Sequence, residues 1–174
     1  HRSTAATLNN LANLLRHTGE YSESAKYFGE ALCILESLLG SDHLYIANVL
    51  HGFAGLQHDM GNFKSSEEMH QRSLRIRESQ LGHSHIFTAN SLHGLATLMQ
   101  DKGLYNESHV LMRRSLGIRT EKLGLSHPQT SYSLQGLGVL LHELGDYEAS
   151  HDLHVRALEL RNQIFGNKHP ATAT

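Results

Sequence analysis

No run of about 18 apolar residues, the length that crosses a bilayer, occurs anywhere in the 174-residue chain, so no membrane span is expected. Basic excess is missing too: 15 lysines and arginines face 17 acidic residues for a net charge of -2, which leaves nothing to follow a phosphate backbone and argues against nucleic acid. Cysteine is reduced to Cys33 alone. That excludes an internal disulfide, reads most simply as a small apolar helix residue of a kind usually buried, and leans towards a reducing, cytoplasmic compartment. No stretch alternates with period two, so no strands are expected. Phosphate-cradling glycine loops, nucleophile elbows and HExxH pairs are all absent, so neither catalysis nor a cofactor is expected.

What the chain has is repetition. His1, His43, His85 and His127 recur every 42 residues, and His169 opens a further unit. The same step carries Gly19 onto Gly61, Gly103 and Gly145, Leu8 onto Leu50, Leu92 and Leu134, and Gly40 onto Gly82, Gly124 and Gly166. A fixed period of this size marks stacked supersecondary units, none of which buries its apolar face alone. We expect one elongated domain over 1–174, with repeats at 1–42, 43–84, 85–126 and 127–168 and the start of a fifth at 169–174. The chain begins and ends at one phase of the repeat and is expected to be a segment of something longer, so a missing signal peptide carries no weight.

Within a repeat the spacing is helical. Leu8, Leu11, Ala12, Leu14 and Leu15 form one stripe of a 3.6-residue period, and Gly19 is placed to end that helix in the left-handed conformation. A second helix starts at the aromatic position of Tyr21, Phe63, Tyr105 and Tyr147 and runs through Phe28, Ala31, Leu32 and Leu35 to Gly40. Pro128, one of only two prolines, sits where the next first helix begins and costs no intrahelical bond there; Pro170 repeats it.

The segment LNNLANLLRHTGEYSES followed by EALCILE resembles the tetratricopeptide repeat, and LGLSHP and FGNKHP resemble the linker of its 42-residue variety, found in kinesin light chains and nephrocystin-like proteins. The resemblance implies an all-α solenoid of four helix-turn-helix repeats wound into a right-handed superhelix. Its concave groove, lined by the first (A) helices, takes a peptide from a partner protein. The family unit is about 34 residues long, and the extra eight are expected to lengthen the second (B) helix.

Carried onto this sequence, the groove positions implied by the resemblance are Asn9, Asn13, Arg16 and His17, then Asn48, His51, Gly55, His58 and Asp59. The third repeat gives Asn90, His93, Thr97, Gln100 and Asp101, and the fourth Tyr132, Gln135, Val139, His142 and Glu143. Most are polar and lie off the apolar stripe. Amide side chains both donate and accept, so a ladder of them suits a peptide backbone without demanding one sequence. The face holds one fixed cation, Arg16, against Asp59, Asp101 and Glu143, so a partner segment that is not strongly acidic is expected. Five groove histidines, His17, His51, His58, His93 and His142, would swing the face from -2 to +3 on protonation, and ligand affinity would then depend on pH.

Three further expectations concern packing and assembly. The periodic histidines are read as helix-start residues between units, and the pairs His51/His93 and His151/His154 are too few to hold a metal. His70, Met112 and His154 occupy the register of Phe28 and imply looser packing. Gly52, Gly94 and Gly136 share a register inside the A helix, where they admit either a neighbouring helix or a ligand backbone. The alternative to a binding module is a spacer that self-associates end to end, since neither terminus shows a polar capping helix.

Overall fold

The computed structural model describes residues 1–165; the fifth-repeat stub, with Gly166, His169 and Pro170, lies outside them. Eight helices follow one another: α1 (Arg2–Thr18), α2 (Tyr21–Leu39), α3 (Leu44–Asp59), α4 (Phe63–Leu81), α5 (Ile86–Asp101), α6 (Tyr105–Leu123), α7 (Pro128–Glu143) and α8 (Tyr147–Phe165). No strand occurs among the described residues. Odd-numbered helices are the A helices and even-numbered ones the B helices, and each B helix is 19 residues long. The helices fall into two compact units, His1–His83 with α1 to α4 and a second beginning at Ser84 with α5 to α8.

The periodic residues make the ends. Each of His1, His43, His85 and His127 is an N-cap whose ring nitrogen accepts the backbone N–H two residues on, at 3.4, 3.2, 3.1 and 3.2 Å. Imidazole thus does the work usually given to serine or aspartate, satisfying one of the donors left over at a helix start. At the other end Gly19 adopts φ 84° and ψ 6°, and the chain folds back so that Glu20 N donates to Leu15 O at 2.9 Å. The same reversal recurs from Asn62 to Gln57, Leu104 to Met99 and Asp146 to Leu141. This bonding closes the A helix and aims the B helix back along it.

Small residues then let A and B approach. Ala12, Ala54 and Ala96 are fully buried, and their carbonyls accept from the buried hydroxyls of Ser24, Ser66 and Ser108 at 2.7 to 2.8 Å; Ser150 does the same to Gly138. In the first unit the core gathers Phe28, Ala31, Leu35, Ile46, Leu50, Leu56 and Ile76, with Phe28 stacked on Phe53 at 5.3 Å. In the second, Ala96, Met112, Leu137 and Leu140 pack together.

Three expectations change. Substituting Phe28 by His70 or Met112 does not open the position, the three being 0%, 4% and 1% exposed, whereas His154 in the same register is only half-buried. The α1 stripe is also only half buried. Leu14 is 60% exposed, whereas Leu56, Leu98 and Leu140 in its register are 0 to 1% exposed, because within its unit α1 has helices on one side only. Cys33, expected to be buried, lies exposed on α2.

Candidate binding face of the A helices

In the first unit an ion pair crosses the face. Arg16 of α1 donates through Nε to Asp59 Oδ2 at 2.6 Å and through Nη2 to Oδ1 at 3.2 Å, and its guanidinium lies over Gly55, where a Cβ would collide with it. The single fixed cation expected to meet a ligand is therefore already engaged by the next repeat. Asn13 Nδ2 turns back to Asn9 O at 2.8 Å, and His58 packs beside the Phe63 ring at 5.7 Å. His17 is exposed, while His51 sits edge-on to the buried His70 at 5.4 Å. A cavity of about 380 Å³ opens between α1 and α3, walled by Ala5, Leu35, Tyr45 and Val49 and rimmed by Asn9 and Asn48.

In the second unit Thr97 donates to His93 O at 3.1 Å, and Gln100 is half-buried beside the exposed Asp101. Exposed Tyr132 carries the Arg161 guanidinium 4.9 Å from its ring centre, and Arg161 Nη2 also donates to Gln135 Oε1. Val139 is exposed, and His142 lies 3.6 Å from the Glu143 carboxylate. His93 points its Nδ1 at Met112 Sδ, 3.1 Å away. Burial, aided by Arg119, holds its pKa down at about 4, and His70 is lowered to about 4 by burial, then by His58, Arg77 and Arg16. His93 thus stays neutral through mildly acidic pH, and the expected swing of five charges loses one of them.

Gly52 and Gly136 are spacers for a neighbouring side chain. A Cβ on Gly52 would stand 2.9 Å from Phe28 Cε1 and 3.1 Å from Asn13 Oδ1, and one on Gly136 would stand 3.3 Å from Met112 Cε. At Gly52 the gap is filled by the B helix of the preceding repeat, which favours packing over ligand approach.

Sequence reasoning passed over three residues beneath the face. Arg77, Arg119 and Arg161 share the 42-residue step, are only 3%, 6% and 4% exposed, and each reaches from a B helix to a groove residue. Arg77 Nη2 donates to Asn48 Oδ1 at 2.9 Å; Arg119 Nη2 donates to Asn90 Oδ1 at 3.0 Å, and its Nη1 to Gln129 O at 3.3 Å and to Ser133 Oγ. Burial lowers the pKa of Arg77 and Arg119 to about 10, which still leaves both charged at neutral pH. The period that exposed the histidines would have exposed these arginines as well, had the B helices been searched for polar residues.

The family model described as Tetratricopeptide repeat matches residues 3–79, 46–121 and 87–163, which together span nearly the whole described chain. The chain belongs to the tetratricopeptide repeat family. Its fold is shared by the nearly identical TPR-like repeats of a Podosopora anserina protein assigned as a kinesin light chain, at TM-score 0.84 and 20% identity over 99% of this chain and 82% of that one. BtubC (BKLC) from P. vanneervenii is similar at TM-score 0.83 and 21% identity, over 95% of this chain and 66% of that one. Among curated protein sequences none matches. At such identities the likeness establishes a kinesin-light-chain-like repeat fold. Tetratricopeptide repeats in general mediate protein–protein interaction.

Proposed function

We propose that this tetratricopeptide chain is a non-catalytic scaffold module that holds a peptide segment of a partner protein against its A-helix face. The observation that carries the reading is the arrangement of amides on that face: Asn48 in one unit and Asn90 in the other have their oxygens engaged from below, and no hydrogen bond among the described residues uses their Nδ2 groups. Such edges suit the main chain of an extended segment. The partner segment is not strongly acidic: Arg16 is tied to Asp59, and Arg77, Arg119 and Arg161 are buried beneath the face. The described helices include none long and apolar enough to cross a membrane. An intracellular site of action fits the lone thiol of Cys33. The test is selection of a displayed random peptide library on the 174-residue chain, followed by fluorescence anisotropy. Peptides of micromolar affinity that lose binding when Asn48, Asn90 and Gln135 are changed to alanine are expected; a selection that enriches nothing opposes the reading.

A second reading has its own observation. Leu14 at 60% exposure and Leu11 at 37% leave the outer side of α1 apolar and uncovered within its unit, a face on which the end of a second copy would pack. Sedimentation at increasing concentration tests it: growth into larger species supports self-association, and a constant monomer opposes it.

A further inference from the structure

Arg77, Arg119 and Arg161 stand in the register that the first repeat fills with Leu35, and the groove register they reach holds Asn48, Asn90 and Tyr132, against Ala6 in the first repeat. The two registers change together within one chain. Where the B helix lacks arginine, the A helix lacks a polar or aromatic partner for it.

Stability alone does not favour this device. Burying a guanidinium against neutral acceptors carries a desolvation cost that an apolar side chain of similar size avoids. The contacts of Arg119 are all neutral: a side-chain amide, a hydroxyl and a backbone carbonyl. What the arrangement does achieve is a fixed direction. A guanidinium only donates, so the atom an asparagine turns towards it is the oxygen, and the amide nitrogen is thereby turned the other way.

We propose that Arg77 and Arg119 are positioning residues that hold the side-chain amides of Asn48 and Asn90 with nitrogen towards the groove, so that each offers an N–H donor to a main-chain carbonyl of the bound partner. This rests on the peptide-binding reading above and narrows it. An amide able to rotate would accept from a ligand N–H as readily as it donates to a carbonyl; one pinned from below selects carbonyls. A partner segment is therefore recognised, at Asn48 in one unit or at Asn90 in the other, by oxygens along its backbone. Arg161 is a variant of the device, holding Gln135 by its oxygen and packing on Tyr132.

Asn90→Asp separates this role from plain packing. A carboxylate keeps the oxygen facing Arg119 and adds charge to the contact, but removes the outward N–H and puts an acceptor in its place. The expected result is a melting temperature raised by a few degrees, together with an affinity at least about tenfold weaker for any library-selected peptide that shifts the Asn90 side-chain amide resonance of the wild-type chain. Asn106→Asp, at an exposed position in the first turn of α6, leaves the affinity unchanged and serves as the binding control. A lowered melting temperature would show that the oxygen does not face Arg119, and unchanged affinity would show that the N–H is not used; either overturns the proposal. The melting arm needs no ligand, so it still decides the orientation if the selection yields no peptide and the peptide-binding reading itself fails.

Discussion

At the scale of the residue, the most consequential departure from pattern is His70, a titratable ring in a site that Phe28 fills one repeat earlier and Met112 one repeat later. Its pKa of about 4 in the fold lies below the 6.5 of an open chain, so between these values the unfolded chain binds the proton that the folded one refuses. Stability is then present above pH 6.5 and is lost as pH falls towards 4, with an upper bound of about 3 kcal/mol from a shift of this size. We expect His70→Phe to raise the melting temperature at pH 5 more than at pH 7.5; equal gains at both would show that burial does not keep the ring neutral. The capping histidines are a second residue-scale device. Replacing His85 by alanine should cost about 1 kcal/mol in denaturant unfolding, while asparagine at the same place should restore most of it. The sequence located these histidines at helix starts by their period. It could not say that the ring is the cap, because imidazole is not among the usual capping side chains and only the 3.1 Å contact to Phe87 N reveals it.

At the scale of the element, the glycines divide by what surrounds them rather than by where they fall in the repeat. Gly117 in α6 has open space where its Cβ would go, so alanine there should add up to about 1 kcal/mol by helix propensity alone. Gly52 in α3 has the Phe28 ring in that space, and the overpacking cost of about 1–3 kcal/mol outweighs the same propensity gain. Thermal melts of Gly117→Ala and Gly52→Ala should therefore move in opposite directions, and movement in the same direction would contradict the packing role. Element existence was legible, since the apolar stripe, the glycine stops and the aromatic starts all carry their own spacing. Partnership between elements was less so: the stripe over Leu8 to Leu15 looks uniform in sequence, yet Ala12 is fully buried and Leu14 largely exposed, because burial depends on which side of α1 has a neighbour.

At the scale of the whole molecule, four copies of one helix pair give two kinds of surface, outer turns closed by caps and glycines and A-helix faces left polar. The repeat period related equivalent residues across the copies, and the resemblance to tetratricopeptide repeats supplied the expectation of which of them line a groove. Their condition was hidden: Arg16 reads as an available cation until its bond to Asp59 is seen, His93 as a titrating ring until Met112 and Arg119 are found beside it, and Asn90 as a two-way amide until Arg119 takes its oxygen. Each of these depends on a partner at least 19 residues away in the chain, beyond the reach of local pattern. The most direct measurement is the side-chain amide spectrum of the ¹⁵N-labelled chain titrated with a peptide selected on it. Shifts concentrated at Asn48, Asn90 and Gln135, with the exposed Asn106 of a B helix unmoved, are the expected outcome; shifts confined to B-helix residues, or none on the A helices at saturation, would contradict a partner held on the A-helix face.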